Sequence, residues 1–184
     1  VNLTGTVNVL DSARLNKTPV VYASSAAIYG DSAAMQLKES STARSLTAYG
    51  SDKLGSELHA RVASLVHKVP TTGLRFFNVY GPRQNPDSPY SGVISISADR
   101  NIKGDNITIY GDGEQTRGFI FVKDVIRFLR SAMQKVSCYP SVFNVCTGKS
   151  VSINKLSKTV MSIPGVRVDV QHQATRIRDI RSSI

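Results

Sequence analysis

Between two stretches of helical periodicity lies a short apolar run, Val20-Val21-Tyr22-Ala23. It is too short for a buried helix and has no polar face, so it reads as a strand covered on both sides in a parallel sheet. A parallel strand reaches its neighbour only through a crossover, usually a helix, and this sequence supplies helices on both sides. Residues 2 to about 16 read as a helix with Leu3, Val7 and Leu10 on one face, and Pro19 ends the connection. After the strand come small and polar residues through Gly30, then a loop rich in Ser, Thr and Ala to about Thr47. A second long helix begins near Ala48, with Leu54, Leu58, Val62, Leu65 and Val66 as its apolar stripe. Gly73-Leu74-Arg75-Phe76-Phe77 reads as the next strand.

The alternation continues. Pro82, Pro86 and Pro89 mark a long loop, Ile94 to Ile102 a short helix and Ile107 to Tyr110 a strand. Val122 to Val136 reads as helix, Val142 to Val145 as strand and Ser152 to Met161 as helix, and Val166 to Val170 alternates like a strand. Alternating strands and helices predict an α/β fold with a parallel sheet. The 184 residues suffice for one domain, or one domain and part of another.

Composition narrows the function classes. No run approaches the roughly 20 apolar residues of a membrane span, and no membrane partner is expected. The net charge of +10 suits nucleic acid, an anionic surface or an anionic small molecule. Its basic residues are scattered, densest at Arg176, Arg178 and Arg181, with no zinc-finger, recognition-helix or RNP pattern. Nucleic-acid binding is therefore not expected, whereas a diphosphate ligand would engage a few of these cations. Cys138 and Cys146 fit no zinc or C-x-x-C pattern and read as free thiols of a reducing cytosol. His59, His67 and His172 are not spaced as metal ligands, and no metal is expected. The first residue, Val1, falls inside a predicted helix, which points to an excerpt of a longer chain.

Two segments carry chemistry. In Tyr49-Gly-Ser-Asp-Lys53 the phenol and the ammonium lie one helical turn apart on one face. A nearby ammonium favours the phenolate, and a tyrosine tuned this way can act as a general base. Alone, the spacing also fits a surface pair. In Tyr22-Ala-Ser-Ser-Ala-Ala-Ile-Tyr-Gly30 a strand ends in two serines, at the edge where open α/β sheets bind ligands. Alone, that segment also fits a Ser-rich turn. Gly111-Asp-Gly-Glu-Gln-Thr-Arg-Gly118 mimics a dinucleotide fingerprint, but its third glycine comes too late, and it reads as a substrate-side turn.

Several strings in one order resemble the extended short-chain dehydrogenase/reductases, and among them the nucleotide-sugar epimerases of the UDP-glucose 4-epimerase type. They are Asn2-Leu-Thr-Gly-Thr6, Ala23-Ser-Ser-Ala-Ala-Ile-Tyr-Gly30, Ala48-Tyr-Gly-Ser-Asp-Lys53 and Leu74-Arg-Phe-Phe-Asn-Val-Tyr-Gly-Pro-Arg83. Pro89-Tyr-Ser-Gly-Val-Ile-Ser-Ile96, Ile109-Tyr-Gly-Asp-Gly-Glu-Gln-Thr-Arg117, Phe121-Val-Lys-Asp-Val125 and Phe143-Asn-Val-Cys-Thr-Gly148 follow. The resemblance implies a partial Rossmann-type sheet plus part of a small C-terminal α/β substrate domain. Residues 1–80 would be the C-terminal part of the NAD-binding domain. Residues 81–184 would be mainly nucleotide-sugar-binding, with Rossmann elements returning around 119–146.

The same resemblance implies residue roles. Ser25 matches the hydroxyl that hydrogen-bonds the reacting sugar oxygen, Tyr49 the base, and Lys53 the residue holding the nicotinamide ribose. Asn2, Ser24 and Phe77 fall where NAD contacts are expected, and Asn78 where the nucleotide-sugar is contacted. Arg117 and Arg176 match two arginines that grip the diphosphate, a task suited to a planar guanidinium, and Asp179 stands in the same element as Arg176. Ser183 falls where the sugar pocket is walled; a small residue there admits N-acetylated sugars, although it also fits a plain loop serine. The implied reaction is redox-neutral C4 epimerisation of a UDP-sugar with NAD through a 4-keto sugar, by a cytoplasmic homodimer.

Dehydratases of this type carry acidic residues where Ala26 and Ala27 stand, which argues against dehydration; decarboxylase and reductase relatives remain as alternatives. The glycine-rich G-x-x-G-x-x-G segment does not occur in these 184 residues, Gly118 stands where an aspartate is usual and Arg178 where a glycine is usual. The chain by itself is therefore expected to bind NAD weakly and to be inactive, and a non-catalytic fragment serving as a binding module is the rival reading.

Overall fold

The computed structural model describes residues 1–32, 36–88, 92–163, 168–175 and 182–183. The chain begins with α1 (Asn2–Asn16), β1 (Val20–Ser25), a 3-10 turn at Ala26–Tyr29, α2 (Ala48–Leu65) and β2 (Thr71–Phe76). There follow β3 (Asn78–Tyr80), α3 (Val93–Lys103), β4 (Ile107–Tyr110) and β5 (Thr116–Phe121). Last come α4 (Val122–Lys135), β6 (Ser141–Val145), β7 (Ser150–Ser152), α5 (Ile153–Met161), β8 (Val170–Gln173) and β9 (Ser182–Ser183). Two compact units result, Val1–Phe77 with Lys123–Val145, and Asn78–Val122 with Cys146–Ile184.

The first unit is built on a parallel sheet in the order β1-β2-β6. Val20 to Ser25 pair in register with Thr71 to Phe76, and Thr72 to Phe76 with Ser141 to Val145. All three strands therefore end at the same edge. One face is covered by α1 and α2: Leu10 and Ala13 from α1 meet Ala60 and Ala63 from α2 over Val20 and Val69, with Tyr22 packed alongside. On the other face α4 brings Phe128 and Ala132 toward Thr72, Leu74 and Phe143, lining an open pocket between them. This is the α/β parallel-sheet arrangement with helices that the alternation predicts.

The second unit centres on β5. Its first half pairs antiparallel with β7 and parallel with β9, and its second half pairs parallel with β3. A separate parallel pair, β4-β8, lies over a core of Ile107, Leu156, Val160 and Val168, with Val93 and Ile94 of α3 against it. The glycine run at Gly111–Gly113 enters β5 and not a helix, as a turn would and a dinucleotide fingerprint would not.

Two expectations need correction. The stripe on α2 is not its buried face: Leu58, Val62, Leu65 and Val66 are 45–65% exposed. The helix buries Gly50, Ser56, Glu57, Ala60, Ala63 and Ser64 instead. Two helices and a sheet meet at that face, and only small side chains let their backbones come this close. The late strand is β8 at Val170–Gln173, later than the Val166–Val170 alternation suggests; Val168 belongs to the core and residues 164–167 lie outside the described region.

Close approach also explains a glycine inside a core strand. A Cβ on Gly73 would lie 2.6 Å from the Tyr22 hydroxyl oxygen and 2.7 Å from the adjacent ring carbon. The Tyr22 ring lies across the glycine, and its burial, followed by the Glu57 charge nearby, holds its phenol well above the ordinary range, so it is a neutral packing group. Gly73→Ala should destabilise the fold by about 1–3 kcal/mol, the usual cost of overpacking, measured as a lower urea midpoint. Combining it with Tyr22→Leu should recover part of the loss, and simple additivity of the two would contradict this packing.

Candidate functional site

Residues at the carboxyl edge of the β1-β2-β6 sheet come from β1, the turn after it and the first turns of α2. Alternation along β1 sends Ser24 and Ser25 to opposite sides. Ser24 is buried at 2% exposure, and its hydroxyl donates to Glu57 Oε1 at 2.5 Å. Ser25 caps the 3-10 turn, its Oγ accepting from the Ala27 amide at 3.2 Å. With that lone pair engaged, its O–H is left to donate.

Thr47 caps α2, its side chain accepting from the Gly50 amide at 3.0 Å. The first turn then lies directly on the serine turn, because a Cβ on Gly50 would come within 2.7 Å of the Ala27 carbonyl oxygen. Gly50 thus sets how near Tyr49 stands to the end of β1. Tyr49 is 46% exposed, accessible to a ligand. Lys53 reaches back to the Ala23 carbonyl at 3.0 Å, with its ammonium 5.6 Å from the Tyr49 ring centre.

Beneath these groups runs a polar network that sequence reasoning missed. Arg75 of β2 makes a two-pronged pair with Glu57 of α2, Nε to Oε1 at 2.9 Å and Nη2 to Oε2 at 2.7 Å. Its Nη1 donates to the Tyr29 hydroxyl at 2.7 Å and the Glu39 carbonyl at 3.0 Å. Tyr29 donates onward to Asn144 Oδ1 of β6 at 2.6 Å, and the Asn144 amide nitrogen of the backbone donates to Glu39 Oε1 at 2.8 Å. Burial by itself would lower the Arg75 pKa, but the hydrogen bonds with Glu57 and Tyr29 outweigh it and hold the guanidinium charged. Burial raises the Tyr29 phenol despite Arg75, so it stays a neutral link. Deleting one partner of such a buried pair typically costs about 3–5 kcal/mol, since it strands the other charge. Two signals were present: a glutamate one turn after Lys53, and an arginine within an otherwise apolar strand, which is rarely buried unless paired.

The expected NAD contacts fall in the same unit. Asn2 is exposed at the first turn of α1, its carbonyl accepting from Thr6. The Phe77 ring is buried, not open to a ligand, and its amide donates to the Val145 carbonyl at 3.3 Å. Ser24 is likewise turned inward, its hydroxyl given to Glu57. The donor set fits the ribose end of a dinucleotide: an ammonium has three donors, and one of them goes to Ala23. Among the described residues no group of His, Cys, Asp and Glu is placed to hold a metal.

Of the expected nucleotide-sugar contacts, Ser25 lies in the first unit and the others in the second. Asn78 donates its side-chain amide to the Gly118 carbonyl at 3.0 Å. Arg117 lies on β5, its Nη1 donating to the Thr116 carbonyl at 2.9 Å. Arg117 pairs in register with Ser183 of β9. Arg176 and Asp179 lie outside the described residues.

Residues 1–146 match the model of the NAD dependent epimerase/dehydratase family. The UDP-glucose 4-epimerase of Mycolicibacterium smegmatis is 30% identical over 186 residues, 100% of this chain and 58% of that protein. Among solved structures, the UDP-N-acetylglucosamine 4-epimerase from Methanobrevibacter ruminantium M1 in complex with UDP-N-acetylmuramic acid superposes with a TM-score of 0.93 at 34% identity. It matches 100% of this chain and 59% of its own. The Thermus thermophilus UDP-glucose 4-epimerase complex with NAD gives a TM-score of 0.90 at 30% identity, over 100% of this chain and 60% of its own. The chain thus spans about three fifths of the length of these relatives. With the family model covering most of the sequence and the fold superposing end to end, the chain belongs to the NAD dependent epimerase/dehydratase family.

Proposed function

We propose that the complete protein interconverts UDP-sugars by NAD-dependent epimerisation at C4. The observation that carries this reading is the pairing of Tyr49 and Lys53 on α2, with Lys53 anchored to the Ala23 carbonyl beside Ser25. Tyr49 takes and returns the proton of the C4 hydroxyl. Ser25 donates a hydrogen bond to the same sugar oxygen, its O–H being free to do so while its Oγ accepts from the Ala27 amide. Lys53 directs its remaining donors to the ribose hydroxyls. When bound, NAD supplies reversible hydride acceptance, which makes the exchange redox-neutral. Ala26 and Ala27, which open the 3-10 turn, offer no acid or base to expel water from the sugar, and this supports epimerisation over dehydration.

In this reading residues 1–80 are the C-terminal part of the dinucleotide-binding domain. Residues 81–184 mainly hold the nucleotide-sugar, through Arg117, Arg176 and Asp179, with Asn78 just ahead of them. The protein works in the cytoplasm, which its two free cysteines support. It is a homodimer: the exposed Leu58, Val62, Leu65 and Val66 of α2 form an apolar strip that a second copy would cover. Sedimentation of the complete protein should give a dimer at micromolar concentration, and a monomer there counts against this interface.

Catalysis has a direct test. Tyr49→Phe keeps the ring and removes only the proton-transfer group, so turnover should fall by about a hundredfold or more while nucleotide-sugar affinity stays near wild type. Retention of more than about a tenth of the turnover would remove Tyr49 from the role of base.

Substrate range turns on Ser183, since a serine at a position that walls the sugar pocket is small enough to admit N-acetylated sugars. The complete enzyme should act on the UDP-N-acetylglucosamine/UDP-N-acetylgalactosamine pair as well as on UDP-glucose/UDP-galactose. Ser183→Tyr should selectively weaken the acetylated pair by tens to roughly hundreds of fold, the range a steric pocket change allows. Steady-state assays on both pairs decide it, and wild-type activity confined to the non-acetylated pair contradicts the pocket argument.

A further inference from the structure

Tyr49, Lys53 and Glu57 follow one another at single-turn spacing along one face of α2. On an exposed helix a lysine and a glutamate four residues apart pair with each other. Here they do not: Lys53 donates to the Ala23 carbonyl, while Glu57 takes Arg75 on both oxygens and Ser24 on Oε1. The three bonds fill most of the roughly four acceptor positions of a carboxylate. Arg75 also supplies the compensating charge within a fork whose two partners are 8% and 7% exposed.

We infer that Arg75 is a positioning residue that insulates Lys53 from Glu57. By occupying the glutamate with a bidentate partner from β2, it leaves the lysine ammonium to Ala23 and to the Tyr49 ring. Without Arg75, Glu57 becomes a buried anion whose cation one turn away on the same face is Lys53. The ammonium then swings toward Glu57 and away from Tyr49. Ser24 cannot prevent this, because a neutral hydroxyl supplies no charge. The fork also explains why arginine stands here: a lysine at 75 could hold one oxygen but not both.

The inference rests on the reading of Tyr49 and Lys53 as catalytic, and the experiment separates the two. In the complete protein, Arg75→Met should lower kcat by about a hundredfold, the usual effect of misplacing a catalytic group by an ångström or so. The double variant Glu57→Gln/Arg75→Met removes the captor as well and buries no net charge. Its kcat should return to within about tenfold of wild type, a coupling between neighbours that a cycle measures. Nucleotide-sugar KM should move little in both. If Arg75→Met does not fold, the neutral double variant still decides: folded by its urea midpoint and active, it supports insulation; folded and as inactive as Lys53→Met, it overturns it. A folded Arg75→Met with wild-type kcat overturns it too. Full activity in Lys53→Met, by contrast, sinks the catalytic reading itself.

Discussion

The bidentate pair between Arg75 and Glu57 is the interaction on which the first unit depends. It joins the middle strand of the sheet to α2, the helix that carries Tyr49 and Lys53. Through Ser24 it reaches β1, and through Tyr29 and Asn144 it reaches the turn after β1 and the strand β6. Each element that ends at the ligand-facing edge of the sheet is therefore tied to one guanidinium. A buried ion pair is seldom a net source of stability. What it gives here is geometry, since both partners are fixed by planar, directional bonds.

The second constraint is how closely the backbones approach. α2 rests on the sheet and on α1 through Ala60 and Ala63, with Gly55 close to Leu3 of α1 and Gly50 against the turn after β1. Gly73 leaves space for the Tyr22 ring. These small residues lower α2 onto the end of β1 until Lys53 can touch the Ala23 carbonyl. The larger apolar residues of the same helix are then left outside, where only another surface could cover them. The helix has in effect two apolar faces, a small one packed on its own unit and a large one left exposed.

Most element positions were legible because short apolar runs and capped amphipathic stretches need no tertiary information. α1 and β4 lie at the predicted residues, and the start of α2 follows from Thr47 and the small residues before it. The short strands β3, β7 and β9 were not legible, since two or three residues carry no periodicity, and β5 was missed because its first residues read as part of the glycine turn. The buried face of α2 was misjudged for a related reason. Hydrophobic periodicity marks where large apolar side chains recur, and it is silent about a face built from Gly, Ala and Ser.

The sequence by itself determined the local pattern: a serine strand end followed by Tyr49 and Lys53 at helical spacing, in an α/β chain, fixes which groups share a helix face, while the roles read for them came from the resemblance to a family. Spacing along one helix is local geometry, so no folding is needed to read it. Only the tertiary structure decided what those groups face. It turned Ser24 inward to Glu57, left Ser25 with a donor to offer, and gave Lys53 a carbonyl from a strand 30 positions earlier. Arg75 and Glu57 look in sequence like two unrelated charges on a strand and a helix. They become one unit only when burial removes the water that would otherwise solvate each, and no local pattern encodes that.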